Sequence, residues 1–289
     1  MTRAHTTAQL FSRWIHGKPK NTQLAYERDI RHFAAFLSQA SPQQVTLNDL
    51  DLHALSLDDL QLFMDYMESK GLAPSTRNRR MSAIKSFLGF AHKVGYITVN
   101  VGVAMELLSL ENRLAERILS ETQVTMMIAL ESGQRDKLLL KTLYYTGARV
   151  SEVCNLIWRD VHPNRDSGQI SLFGKGGKGR VVRIPASLYQ ELEQFRANAS
   201  IDAPVFPSQK GNKGLQRDRI HEIVRAAGER IGIKGVSPHW LRHAHASHSL
   251  ERNAPIHLVQ QTLGHSSIAT TSKYLHAKPN DSSGMYLPS

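Results

Sequence analysis

Pro238-His239-Trp240-Leu241-Arg242-His243, then Leu263-Gly264-His265, then Lys273-Tyr274-Leu275, is the stretch that decides the reading. Breaks at Gly235-Val236-Ser237-Pro238, Asn253-Ala254-Pro255 and Gly264-His265-Ser266-Ser267 divide Arg217 to Leu275 into a run of short helices. His239 and Arg242 are three residues apart, about one helical turn, so both can face one anion. Arginine keeps its charge and can grip phosphate oxygens with two N–H groups. Histidine exchanges a proton near neutral pH. A second histidine, His265, follows the Gly264 turn, and a phenol, Tyr274, follows that. Phosphoryl transfer without a metal needs such a set. His239 and His243 also have the i,i+4 spacing of zinc ligands, but Trp240 stands where zinc helices carry a glutamate, so no metal is expected. His243, His245, His248 and His257 are assigned to packing or support.

Outward from this stretch, Tyr144-Tyr145-Thr146-Gly147-Ala148-Arg149-Val150-Ser151-Glu152 contains a helix break at Gly147 and a new start near Ser151. Arg149 then lies at a helix start, where guanidinium and dipole both favour an anion, and Glu152 lies one turn on to brace it. Gln169 to Phe173 and Arg180 to Pro185 alternate like two strands around the glycine-rich turn Gly174-Lys175-Gly176-Gly177-Lys178-Gly179. That turn lacks the spacing of a nucleotide-binding loop and runs into a strand, so nucleotide binding is rejected.

The first hundred residues read as helices. Asn21-Thr22 opens one with Leu24, Ile30, Phe33, Ala34 and Leu37 at helical spacing. Ser56-Leu57-Asp58-Asp59 caps a second that buries Leu60, Phe63, Met64 and Met67 and stops at Gly71. Pro74-Ser75-Thr76 opens a third with Ile84, Phe87, Leu88 and Ala91 as its buried stripe, ended by Gly95. Ser120-Glu121-Thr122-Gln123 caps a further helix past a charged stretch. The expected class is mainly α: an N-terminal helical bundle, residues 1–108, and a mixed α+β domain, residues 118–289, holding a small antiparallel hairpin, with 109–117 as linker.

The chain has 289 residues and a formal charge of +11, which points to a polyanion, nucleic acid first. Residues 1–106 hold 12 Lys/Arg against 9 Asp/Glu, so most of the surplus belongs to the larger domain. The single cysteine, Cys154, excludes an intramolecular disulfide and a cysteine-rich zinc cluster, and fits a reducing compartment. The N-terminus lacks an apolar signal core and no uncharged run suits a membrane span, so a cytoplasmic, bacterial, chromosome- or plasmid-associated protein without membrane contact is expected.

Together these pieces resemble the tyrosine recombinase (phage integrase) family, its Xer-like members in particular. Thr146-Gly147-Ala148-Arg149-Val150-Ser151-Glu152 resembles the family's first arginine box, and Gly174-Lys175-Gly176-Gly177-Lys178 its hairpin lysine. Pro238 to His243 resembles its H-x-x-R box, and Leu263 to Tyr274 its final histidine and nucleophilic tyrosine. Six positions in register make the likeness specific, and it extends over the whole chain. Ala148, where the family often has a bulkier apolar residue, is a departure expected to affect packing only.

The resemblance implies a site-specific DNA recombinase that needs neither cofactor nor ATP. Tyr274 would form a 3′-phosphotyrosyl bond, with exchange through a Holliday junction. Arg149 and Arg242 would neutralise the phosphate oxygens, His239 would take the phenol proton, Lys175 would protonate the leaving 5′-oxygen, and His265 would bond a phosphate oxygen. Glu152 would support them. Thr76, Arg77, Arg79, Arg80 and Lys85 on the third N-terminal helix, with Lys178 and Arg180 of the hairpin, are the expected DNA contacts. The partner is a double-stranded recombination site, bound by a homotetramer, or a heterotetramer with a second recombinase, that is monomeric in solution. A terminal helix lent to a neighbour is short or irregular at best, because Pro279 and Gly284 interrupt it. A type IB topoisomerase-like nicking enzyme and a non-catalytic DNA-binding protein are the alternatives.

Overall fold

The computed structural model describes residues 4–110, 114–174, 177, 179–209 and 213–275. The chain divides into two compact units, Met1–Glu111 and Asn112–Ser289.

The first unit is built from α1 (Thr7–Ile15), α2 (Lys20–Leu37), α3 (Leu57–Ser69) and α4 (Pro74–Lys93). Local sequence sets the ends of α3. Ser56 accepts from the Asp59 N–H, and the Asp59 carboxylate accepts from the Ser56 N–H at 2.8 Å. Such a reciprocal cap satisfies donors that the helix cannot satisfy itself and contributes about 1 kcal/mol. Pro74 occupies the first turn of α4, where its missing N–H costs nothing. Gly71 and Gly95 take the left-handed conformation just past the two helix ends.

The helices close over Phe33, Phe63, Phe87, Leu60 and Met67, each buried. Burying one such side chain contributes about 1.5–3 kcal/mol, so this unit has a core of its own. Leu24 is a correction: expected in the stripe of α2, it is 56% exposed. Six positions before Ile30 is not a whole number of turns at 3.6 residues each, so Leu24 lies off the buried face. Helix α1 was not read from sequence, yet Leu10, Phe11 and Trp14 enter the same core, with Phe11 edge-on to Phe87 at 5.7 Å.

The second unit contains α5 (Glu121–Ala129), α6 (Gln134–Thr146), α7 (Val150–Cys154), β1 (Val161–Asn164), β2 (Ser167–Phe173) and β3 (Gly179–Ile184). They are followed by α8 (Ala186–Arg196), α9 (Arg217–Arg230), α10 (Pro238–Glu251), α11 (Ile256–Leu263) and α12 (Ile268–Ser272). The strands form one antiparallel sheet in the order β1-β2-β3, with Val161 opposite Ile170 and Ile170 opposite Val182. Ile170, Leu172, Val182 and Ile184 alternate onto the core side. The class is the expected mainly-α architecture with a small sheet, although the sequence reading found two strands rather than three. Strand β1, Val-His-Pro-Asn, has one buried apolar residue and a proline; its edge position tolerates both.

One glycine sets how the helices of this unit meet. Gly147 ends α6 in the left-handed region at φ +58°. A Cβ there would lie 2.6 Å from Leu263 Cδ2 and 3.0 Å from His245 Cδ2. The end of α6 can therefore press against α10 and the end of α11 only without a side chain.

Candidate active site

That close approach brings together three arginines from distant parts of the chain. Arg149 is the N-cap residue of α7, and its Nη2 donates to the Gly264 carbonyl at 3.1 Å. Arg242, on α10, is 5% exposed; its Nη1 donates to the Gly147 carbonyl at 2.5 Å and its Nη2 to the Leu263 carbonyl at 2.6 Å. Two guanidiniums thus hold consecutive carbonyls, 263 and 264, of the turn that leads into His265. Gly264 caps α11 at φ +63°, which a side-chain-bearing residue adopts only with strain.

Glu152 is the acid at this site, with its side chain fully buried. It accepts from the Arg149 backbone N–H at 2.7 Å and from Arg149 Nη1 at 3.1 Å. Arg180, from β3, donates to both its oxygens at 2.7 and 2.9 Å. Burial opposes the carboxylate's charge, but the bonds from Arg180 and Arg149 outweigh it and hold its pKa below the usual range. One carboxylate thus pairs with two guanidiniums, and Arg242 adds a third cation beside them. Burial and the neighbouring Arg149 and Arg180 charges bring Arg242 down to about 10, where it still carries its charge at neutral pH.

His265 lies half-buried between α11 and α12, with its Nδ1 2.9 Å from the Thr271 hydroxyl. Burial, then Arg242, Arg149 and Arg180, lowers it to about 4, so its ring is neutral at pH 7. Tyr274 follows α12 and is 7% exposed, packed with Ile118, Ala246, Val259 and Leu263. Burial raises its pKa against the pull of Arg242. Its hydroxyl lies 2.6 Å from His243 Nδ1. His243 is lowered to about 4 by burial and by His239 and Arg242. His239 is exposed one turn earlier on α10, its ring centroid 6.4 Å from that of His243. The sequence reading paired His239 with the phenol and assigned His243 to packing or support; the residue bonded to the phenol is His243. The i,i+4 relation was visible in the sequence, but which histidine meets Tyr274 depends on where α12 ends.

Comparison with known proteins decides the family. Residues 115–281 match the phage integrase family and residues 16–95 its N-terminal SAM-like domain. Tyrosine recombinase XerC of Pelobacter propionicus is 32% identical over 89% of this chain and 84% of its own. Tyrosine recombinase XerC of Xanthomonas campestris pv. campestris is 33% identical over 87% and 77%. The chain belongs to the phage integrase family. It is an Xer-like, tyrosine-type site-specific recombinase. Solved structures carry the same fold: the Tn1549 transposon integrase in complex with a circular intermediate DNA has a TM-score of 0.74 at 20% identity, covering 94% of this chain and 95% of that one. XerH site-specific recombinase bound to its difH substrate has a TM-score of 0.68 at 22% identity, covering 95% and 82%.

The remaining expected site residues of this recombinase fall into three groups. Lys175 and Lys178 lie outside the described residues. Arg180, expected on the DNA surface, is turned inward: its guanidinium is spent on Glu152 and its Nε donates to the Thr262 carbonyl at 2.5 Å. The α4 set is also largely occupied. Arg77 is 7% exposed and paired with Glu68 at 3.0 Å. Arg79 pairs with the fully buried Asp29, Arg80 lies 3.9 Å from the same acid, and Lys85 donates to the Met105 carbonyl. Thr76 is half-buried.

Of the other histidines, His245 is held by the Tyr144 carbonyl at 2.8 Å, and His248 by the Tyr144 hydroxyl at 2.9 Å, which suits the supporting role expected of them. Burial and then the nearby Glu121 push that phenol up to about 12. His257 is exposed, so packing is not its role. Among the described residues, no group of three or more His, Cys, Asp or Glu could hold a metal ion.

Proposed function

We propose that this recombinase cleaves and rejoins duplex DNA through a 3′-phosphotyrosyl bond at Tyr274, resolving a Holliday junction. One observation carries the reading: Arg149 and Arg242 grip the carbonyls of the turn before His265, with a single carboxylate for three guanidiniums. A site with that surplus of fixed charge, close to a phenol, suits a phosphodiester. Arg149 and Arg242 neutralise the non-bridging oxygens as charge grows in the transition state, and His265 donates to one of them. Lys175 protonates the departing 5′-oxygen. The phosphotyrosyl ester conserves the energy of the phosphodiester, so rejoining needs no ATP.

Residues 1–108 serve as the core-binding half and residues 118–289 carry the chemistry. Thr76 and the partly exposed Arg79 of α4, with Lys178, remain the proposed backbone contacts. The working unit is a tetramer on two synapsed sites, of this chain alone or with a second recombinase, in the bacterial cytoplasm. The length and DNA complexes of the relatives and neighbours favour a recombinase over a nicking topoisomerase: XerH is bound to difH and the Tn1549 integrase to a circular intermediate.

The test is a duplex nicked beside the scissile phosphate, so that the cleaved fragment diffuses away and the adduct is trapped. A covalent protein–DNA adduct is expected in EDTA without ATP, and none from Tyr274→Phe. An adduct from Tyr274→Phe overturns the nucleophile assignment. Joined strands between two duplexes, as against relaxed supercoils, separate recombination from topoisomerase action.

A further inference from the structure

We propose that His243 is the group that takes the proton from Tyr274 during strand cleavage, the role that sequence reasoning gives to His239. This rests on Tyr274 being the nucleophile, as proposed above. The geometry carries it. Tyr274 Oη lies 2.6 Å from His243 Nδ1, within the range of a good O–H···N bond and the reach required of a general base. His239 is a full turn away toward the helix start and exposed, with its ring centroid 6.4 Å from that of His243, whereas the phenol hydroxyl bonds His243.

The protonation state fits. His243 is half-buried and faces His239 and Arg242 of its own helix, Arg117 from the start of the unit, and Tyr274. Burial first, and then His239, Arg242 and Arg117, keep the imidazole neutral at pH 7, with an open lone pair on Nδ1 when the hydrogen sits on Nε2. The Tyr274 O–H donates to that lone pair. A phenol whose pKa is held above its ordinary value by burial does not surrender its proton to such an imidazole in the resting protein. It does so as Oη begins to bond to phosphorus, because an aryl ester oxygen cannot hold a proton.

The step balances. The O–H electrons stay on Oη as it forms the Oη–P bond, and the proton passes to His243 Nδ1. The P–O5′ bond breaks with its electron pair on the 5′-oxygen, which takes a proton from the hairpin side. Rejoining runs in reverse: the 5′-hydroxyl attacks phosphorus and His243 returns its proton to the leaving phenolate. His239 is left free to bond a phosphate oxygen.

Single-turnover cleavage of the nicked duplex by the full chain tests this, with His243→Ala, His243→Gln and His239→Ala compared at pH 7. His243→Ala is expected to form adduct about 100-fold more slowly than wild type, and added imidazole to restore much of the rate. His243→Gln, which keeps a polar group in place, is expected to fold as wild type and remain slow without rescue. Replacing Tyr274 by 3-fluorotyrosine, a more acidic phenol, is expected to narrow the gap between wild type and His243→Ala. A merely structural histidine would give neither imidazole rescue nor that narrowing. Adduct formation by His243→Ala at the wild-type rate, or imidazole rescue of His239→Ala alone, overturns the proposal while leaving Tyr274 as nucleophile. Adduct from Tyr274→Phe overturns both readings and so distinguishes the two failures.

Discussion

Two sets of arginines look alike in the sequence and do opposite things in the structure. On α4, Arg77, Arg79 and Arg80 each face an acid: Glu68 for the first, the fully buried Asp29 for the other two. In the second unit Arg149 and Arg180 share Glu152 as their acid, Arg242 is held by carbonyls, and backbone carbonyls of residues 147, 262, 263 and 264 accept from further N–H groups of the three. A carbonyl accepts a hydrogen bond but does not cancel a charge. The first set, with two acids for three arginines, is more nearly compensated and acts as an internal brace. The second keeps a surplus of positive charge beside a turn that it also holds in shape. An anion site here is less a matter of how many arginines are present than of what they are paired with.

The largest expected effects come from removing the acids. Glu152→Gln leaves two guanidiniums without their carboxylate in a buried setting and is expected to cost about 3–5 kcal/mol of stability, read by denaturant unfolding. Asp29→Asn is expected to cost less, about 2 kcal/mol, because Arg79 is partly solvated. If Asp29→Asn destabilises the chain as much as Glu152→Gln, the two sets do not differ as described.

Next come the arginines themselves. Arg242→Lys keeps the charge but loses the fork that reaches the Gly147 and Leu263 carbonyls, and is expected to lower single-turnover cleavage about 100-fold, near 3 kcal/mol in the barrier. Arg80→Lys on α4 is expected to leave the cleavage step of bound DNA near wild type and to shift only stability and affinity. Equal losses of cleavage rate from both substitutions would erase the contrast.

The second set also carries a pH response. His243 and His265 have folded pKa values of about 4, below the usual histidine value of 6.5. The unfolded chain therefore binds protons first as pH falls. The stability these neutral rings contribute is complete above about pH 6.5 and is lost progressively between 6.5 and 4. Glu152 adds its loss lower, as pH falls through its depressed folded value, because its contribution is complete only above the ordinary carboxylate range. The double variant His243→Gln/His265→Gln is expected to reduce the slope of the unfolding free energy between pH 6.5 and 4, with His245, also lowered to about 4, carrying part of what remains; an unchanged slope there places the titration elsewhere.

The smallest expected effects are local. Ser120 caps α5 reciprocally with Gln123 as Ser56 caps α3, and Ser120→Ala or Ser56→Ala is expected to cost about 1 kcal/mol each in thermal unfolding, with cleavage unaffected.

Much of this was legible because it is written locally. The caps at Ser56 and Ser120, the glycine stops, and the alternation in β2 and β3 each depend on residues a few positions apart. The candidate site was legible for a different reason: its boxes resemble those of a family, and their order specifies the set even though no single box does. What was missed depends on distant partners. Nothing near Arg79 in the chain announces Asp29, fifty positions earlier on another helix, and nothing near Arg180 announces Glu152. Reading those arginines as DNA contacts followed from their charge, and their acid partners were not visible locally. The hydrogen bond of Tyr274 to His243 is the same lesson at one site. His239 and His243 lie on one face of α10, and only the position of α12 selects between them.

The central claim is that the phenol beside the under-compensated arginines makes the covalent bond to DNA. The direct measurement is to trap the adduct on a nicked duplex, digest it and locate the nucleotide by mass spectrometry. The account predicts a single modified peptide with the 3′-phosphate of the cleaved strand on Tyr274. A nucleotide on any other residue, or an adduct that persists in Tyr274→Phe, would contradict it.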